Sequence, residues 1–263
     1  MKSEEKKMLL EIKNLTVRVK GNAGAPIVSN VNVTVGENEI VALVGASGSG
    51  KTTTGLAIMR LLPDQLERVS GQIIWKGREL NDFSLDQMRQ LRGAEMAMIF
   101  QEPLDAFDPL FRIKEQMEEV LAAHTPLNRV ERASRIKELL SQAGITDTVR
   151  VAESYPHQLS GGLRQRAMIS QGLAGSPHLL IADEPTSSID VTLQVKVMDL
   201  FRRLKKEFGL SVVLITHDLG VVRHLADRVY VMNQGRIVEQ GLVSAVMDHP
   251  QEEYTRRLIE ATA

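Results

Sequence analysis

The run "GASGSGKT" at residues 45–52 spaces three glycines ahead of a lysine and a threonine. It fits G-x-x-x-x-G-K-[ST], in which the backbone N–H groups of a glycine-rich loop curl around phosphate oxygens at the positive end of a following helix. Gly45, Ala46, Ser47, Gly48, Ser49 and Gly50 form that loop. Lys51 is expected to reach the β- and γ-phosphates of a nucleotide and Thr52 to hold Mg²⁺, with Thr53 beside them in the first helical turn.

Other residue types suited to the same chemistry stand at the ends of apolar runs. "LLIADE" (179–184) finishes on two carboxylates. Asp183 fits the acid that supports Mg²⁺ in phosphate-loop nucleotidases. Glu184 follows it, and where the chain turns at a strand end its carboxylate can face the nucleotide and polarise an attacking water. A strand ending in solvated acids is the plainer alternative. His217 closes "VVLITH" and can donate to a γ-phosphate; Gln101, after "AMIF", can either ligate Mg²⁺ or orient water. Neither carries much weight alone. A second glycine turn, "LSGGLRQR" (159–166), opens another helical pattern but has no lysine. It can bind an anion without being a complete phosphate site.

These residues need a scaffold, and the pattern supplies one. Residues 9–19 read as a strand with Val17 and Val19 on one face, and "IVSNVNVTV" alternates with Val31, Val33 and Val35 pointing one way. "IVALV" (40–44), "LLIA" (179–182) and "VVLI" (212–215) are continuous apolar runs, as in parallel strands covered on both faces. Between the last two, Leu193, Val197, Leu200, Phe201 and Leu204 mark an amphipathic helix, giving a βαβ unit. Residues 228–241 read as a hairpin around 233–235. From 100 to 156 the periodicity is helical with no strand; Val130, Ala133, Ile136, Leu139, Leu140 and Ala143 mark one helix face.

With 263 residues, 43% apolar and 25% charged, the composition is that of a folded globular chain, and a formal net charge of -1 gives no reason to expect nucleic acid. The lack of cysteine excludes disulfides and thiolate metal sites. No apolar run nears the roughly 18 residues of a membrane span, and "MKSEEKKMLLEI" is too weak for a signal peptide. These features point to a cytoplasmic chain that would reach a membrane by docking to another protein.

Taken in order, "GASGSGKT", "FQEP", "LSGGLRQR", "LLIADEPTSSID" and "ITHD" resemble the nucleotide-binding subunit of ATP-binding cassette (ABC) transporters over essentially the whole chain. "LSGG" is the diagnostic element. The resemblance implies an α/β P-loop NTPase (RecA-like) core with a mainly parallel sheet, an N-terminal antiparallel β subdomain and an inserted α-helical subdomain. One domain would span 1–263, with its core in 1–99 and 157–263 and the helical part in 100–156 leading into the signature. Gly45 to Thr52 would be Walker A and Leu179 to Asp183 Walker B. Glu184 would be the catalytic base, Gln101 the Q-loop residue, a second Mg²⁺ contact, and His217 the switch histidine. Ser187 to Asp190 would be the D-loop, here "SSID" where "SALD" is more usual, with Asp190 near the nucleotide.

The family implies ATP and Mg²⁺ as cofactors and a head-to-tail pair of cassettes, each ATP lying between one Walker A and the other's signature. Ser160, Gly161 and Gly162 would then contact a γ-phosphate held in trans. It also implies two transmembrane permeases, an extracytoplasmic solute-binding protein reached indirectly, and a place at the cytoplasmic face of the membrane. One departure stands out: where many members stack adenine on an aromatic ring, "LTVRVKG" offers Val19. Within the family, "FQEPLDAFDPLFRIKEQM" (100–117), "SYPHQLSGGLRQRAMI" (154–169) and "HPQEEYTRRLI" (249–259) resemble the peptide/nickel importer branch, D-type subunit. A soluble ABC ATPase of repair or translation type is the alternative. A single cassette without sustained heptads argues against it.

Overall fold

The computed structural model describes residues 7–22, 24–101, 106–187 and 191–261. The chain divides into two compact units, Met1–Met88 with Gly209–Ala263, and Arg89–Phe208. In the first, β1 (Met8–Val19) pairs antiparallel with β2 (Val28–Gly36). Then come β3 (Ile40–Val44), α1 (Lys51–Ile58), β4 (Leu66–Trp75) and β5 (Arg78–Glu79). The order β2-β1-β4-β5 makes an antiparallel sheet, as expected for the N-terminal part. β2 buries Val31, Val33 and Val35 and exposes Asn30 and Asn32, the alternation of a half-covered strand. In β1 the apolar phase slips by one residue between Ile12 and Leu15. A bulge there takes Asn14 to φ 53 and returns Leu15 and Val17 to the core. Val19, two residues on from buried Val17, is 39% exposed. The register runs unbroken from Val17 to Val19, so the two share a face as expected, and Val19 is less covered because it is the last residue of the strand.

Helix α2 (Leu85–Ala94) is broken by non-helical Arg92 and Gly93. In the second unit, β6 (Met96–Ile99) pairs parallel with β7 (Leu179–Asp183). Between them in sequence lie α3 (Ile113–His124), α4 (Arg129–Gln142), α5 (Thr148–Glu153) and α6 (Gly161–Gly172). Asn128 caps α4 by accepting from the N–H groups of Val130 and Glu131, while Glu131 returns a carboxylate to the Asn128 N–H. The face expected for α4 is half right. Ile136, Leu139, Leu140 and Ala143 are buried, but Val130 is 79% exposed and Ala133 is also exposed. Burial starts only where α4 meets α6, whose Ser170 hydroxyl donates to the Leu139 carbonyl. Helix α7 (Val191–Phe208) buries Val197, Leu200, Phe201 and Leu204, as its periodicity predicts; Leu193 is only partly buried.

The chain then returns to the first unit through β8 (Ser211–Thr216), α8 (Leu219–Leu225), β9 (Arg228–Asn233), β10 (Arg236–Leu242), α9 (Val243–Asp248) and α10 (Glu253–Glu260). β3 lies between parallel β8 and β9, and all five of its residues are buried, which is why its sequence is an unbroken apolar run. β9 and β10 form the expected hairpin. Gln234 (φ 45) and Gly235 (φ 77) both take the left-handed conformation, a turn whose twist matches the strands it joins.

Candidate functional site

The phosphate loop leaves the carboxyl end of β3, and His217 leaves the carboxyl end of β8 beside it, since Val44 is in register with Thr216. Such strand ends are where open α/β sheets bind ligands. The loop is closed on itself. The Lys51 ammonium donates to the carbonyls of Gly45 and Ala46, each at 2.9 Å, and the Ser49 N–H donates to the Ala46 carbonyl at 3.2 Å. It is also backed from outside. The Gly235 N–H of the β9–β10 turn donates to the Ser49 carbonyl at 3.1 Å. At Gly45 (φ 151) a Cβ would sit 2.1 Å from the Met232 carbonyl oxygen, so any side chain would push the loop off the hairpin. Gly50 caps α1 from the left-handed region (φ 100), which turns the N–H groups of the first helical turn toward the loop. Lys51 is buried at its stem, whereas Thr52 is exposed. His217 is exposed too, followed by Asp218, which caps α8 through the N–H groups of Gly220 and Val221.

In the other unit, Ile99 is in register with Ala182, so Gln101 and the acids Asp183 and Glu184 stand at neighbouring carboxyl ends of β6 and β7. Gln101 is exposed; Asp183 and Glu184 are 2% and 9% exposed. At Glu184 the backbone leaves strand geometry for φ 48, a conformation costly for a residue with a Cβ and concentrated at functional sites. The Ser187 N–H and hydroxyl both donate to the Glu184 carbonyl, at 3.2 and 3.1 Å, and hold that turn. Strict alternation would send Asp183 and Glu184 to opposite faces; at Glu184 the backbone has left strand geometry, so that alternation no longer applies. Asp190 and residues 102–105 lie outside the described residues.

The "LSGG" turn opens α6. Leu159 is buried, and Ser160 is the exposed N-cap, with φ -65 and ψ 158. A serine at that position ordinarily caps with its hydroxyl, yet here no side-chain cap bond forms. The helix end is braced from behind instead. Arg166 donates to the Gly144 carbonyl at 2.7 Å, with its guanidinium pKa lowered by burial. At Gly162 a Cβ would fall 1.9 Å from Leu193, so α7 passes too close to admit a larger residue. Gly161 and Gly162 are half-buried behind Ser160.

One loop contact has no local sequence signal. The Tyr254 hydroxyl of α10 accepts the Ala46 N–H at 3.0 Å, 208 residues away. "HPQEEYTRRLI" was legible as a terminal motif but not as a neighbour of the loop.

By chemistry, each residue expected to hold Mg²⁺ suits it: the Gln101 amide and Asp183 carboxylate at neighbouring strand ends of the second unit, and the exposed Thr52 hydroxyl of the first, are hard oxygen donors of the kind that ion takes. No cluster of three or more acids, histidines or cysteines able to hold a metal occurs among the described residues.

A phosphate loop behind a buried parallel strand, acids at the end of another strand, and a second glycine turn capping a helix define a nucleotide-binding α/β cassette. A family profile described as "ABC transporter" matches residues 28–187, and the chain belongs to the ABC transporter family as an ATP-binding cassette. It is 43% identical over 99% of its length to the peptidoglycan transport ATP-binding protein YejF of Agrobacterium fabrum, of which it covers 48%. It is 43% identical over 96% of its length to a putative peptide import ATP-binding protein of Brucella abortus, covering 76% of that protein. A glutathione import ATP-binding protein of Shigella boydii is 42% identical and covered over 42% of its length. The chain thus spans about half the length of some curated relatives and three quarters of others. Among solved structures, it is similar to a dimeric ATP-binding cassette in a post-hydrolysis state with ADP and Pi, at TM-score 0.80 and 30% identity, covering 89% of this chain and 99% of that one. No helix among the described residues is long and apolar enough to cross a membrane.

Proposed function

We propose that this cassette binds and hydrolyses ATP to power an ABC importer, working as one half of a head-to-tail pair. The observation that carries the reading is the contrast between its two glycine turns: one is a closed loop holding Lys51, the other an exposed N-cap serine whose hydroxyl makes no cap bond to its own helix. Ser160, Gly161 and Gly162 would complete the site of a partner cassette, whose signature would in turn close over Lys51. Thr52, Gln101 and Asp183 would hold Mg²⁺, which neutralises phosphate charge; Glu184 would orient and deprotonate water, and His217 would donate to the γ-phosphate.

The names of the relatives support peptides or peptide-like compounds as cargo, with nickel or a metal chelate as the second member of the branch the sequence resembles. Two permeases, an external binding protein and a second cassette, identical or homologous, would complete the assembly at the cytoplasmic face of the membrane. The names of those relatives give no support to a soluble repair or translation ATPase. The test is purification together with any permeases encoded beside it. Mg²⁺-dependent phosphate release that the external binding protein and a peptide stimulate is expected. Phosphate release that neither permease nor binding protein alters would overturn the importer reading.

A further inference from the structure

The Gly45–Ala46 peptide group is held at both ends. Its carbonyl accepts from the Lys51 ammonium at 2.9 Å, and its N–H donates to the Tyr254 hydroxyl at 3.0 Å. Because the peptide is a rigid plane, rotating it to break one bond breaks the other. Ala46 presents its own carbonyl to the same ammonium at 2.9 Å, so the residue that Tyr254 grips is also one that seats Lys51.

Tyr254 is itself firmly placed. With Leu258 and Ile259 it packs α10 against a buried cluster containing Ala42 and Val44 of β3, the strand that delivers the loop, and Val229 and Val231 of β9. Tyr254 and Leu258 are four residues apart and so share a helix face. The approach to α10 is fixed by Glu239 of β10, whose carboxylate accepts the N–H groups of Gln251 and Glu252 at 2.8 and 3.2 Å. The path runs from hairpin to helix to hydroxyl to loop, within one compact unit.

From this geometry we propose that Tyr254 is a positioning residue for the phosphate loop. Through the Ala46 N–H it sets the Gly45–Ala46 peptide, and through that peptide the Lys51 ammonium, so that nucleotide affinity depends on α10. The proposal rests on the phosphate-binding reading of residues 45–52.

The test is Tyr254→Phe in the full chain, which keeps the ring in the cluster and removes only the acceptor. ATP affinity by titration is expected to fall about three- to tenfold, the range for one net hydrogen bond, with KM rising by the same factor and kcat unchanged. The unfolding temperature of the nucleotide-free protein should stay put. Leu258→Ala is the control: it loosens the packing without touching the bond, so it should lower the unfolding temperature more than it lowers affinity. Equal affinity for Tyr254→Phe and wild type overturns the proposal. So does loss of affinity in step with unfolding temperature across both variants, which marks α10 as a structural prop. Wild-type protein that binds no ATP overturns the phosphate-loop reading, and the positioning role of Tyr254 with it; wild type that binds and a variant that binds equally well overturn the positioning role alone.

Discussion

The two glycine turns differ in where their polar groups are spent. Residues 45–52 turn inward: Lys51 and the Ser49 N–H bond to loop carbonyls, and the hairpin and Tyr254 hold the loop from outside. Its helix is capped by a left-handed glycine. Residues 159–162 turn outward: an extended N-cap serine stands exposed, with no cap bond, and the bracing by Arg166 and Leu193 is all behind it. The first arrangement seats its own lysine in the loop. The second offers a positive helix end with no lysine in its turn. That asymmetry is what one expects if each turn is half of a site completed by another copy.

Glu184→Gln gives the largest expected effect. A positioned base contributes roughly 10²–10⁴-fold, so phosphate release should fall by about that factor while ATP binding persists. If the turns are halves of shared sites, the slow variant accumulates an ATP-bound dimer, visible by sedimentation. A variant that hydrolyses at the native rate removes Glu184 from the chemistry. One that stays monomeric with ATP bound breaks the comparison.

Ser160→Arg separates the turns directly. Each chain should bind ATP as before, because the loop is intact. ATP-dependent association should weaken by at least about tenfold, as expected from losing a hydrogen bond to a charged phosphate and crowding the helix end. Unaltered association would mean that the exposed serine faces nothing.

Much of this was written in the sequence, because the informative features are local. The loop, the strand-end acids and the signature turn each occupy a few consecutive residues, and an unbroken apolar run such as "IVALV" announces a strand buried on both sides. What stayed hidden depends on residues far apart. Ala46 and Tyr254 meet across 208 residues, and no periodicity reports that. Val130 stands exposed, and Val19 less covered than Val17, for a related reason: pattern tells which face an apolar residue shares, but not where along the element the covering layer stops.

Val19 leads to a smaller effect, confined to the loop side. It is 39% exposed at the end of β1 and presents aliphatic surface rather than a ring. If adenine rests there, ATP and GTP should compete within about threefold of each other, and Val19→Tyr should improve ATP affinity by roughly 0.5–1.5 kcal/mol, the range for a ring pair beyond its area. A strong native preference for ATP in competition binding would sink this.

The smallest effect comes from Glu239, and it should touch one turn and not the other. Burial alone would raise its carboxyl pKa, but the N–H groups of Gln251 and Glu252, with the Arg256 charge nearby, bring it below the ordinary value of 4.5. A carboxyl whose folded pKa is depressed stabilises the fold above its unfolded pKa, and that contribution is lost as pH falls through the folded value. Glu239 is only half-buried, so solvent screening keeps the contribution to at most about 1 kcal/mol. Glu239→Gln should therefore unfold at slightly lower temperature than wild type at pH 7, and the gap should close as pH drops below 4.5. Because Glu239 anchors the helix that carries Tyr254, the variant should also bind ATP slightly less tightly at neutral pH. ATP-dependent association at saturating ATP should not change, since the backbone N–H groups that Glu239 accepts belong to the approach to α10. A variant that weakens association while leaving ATP affinity intact would reverse the assignment of α10 to the loop.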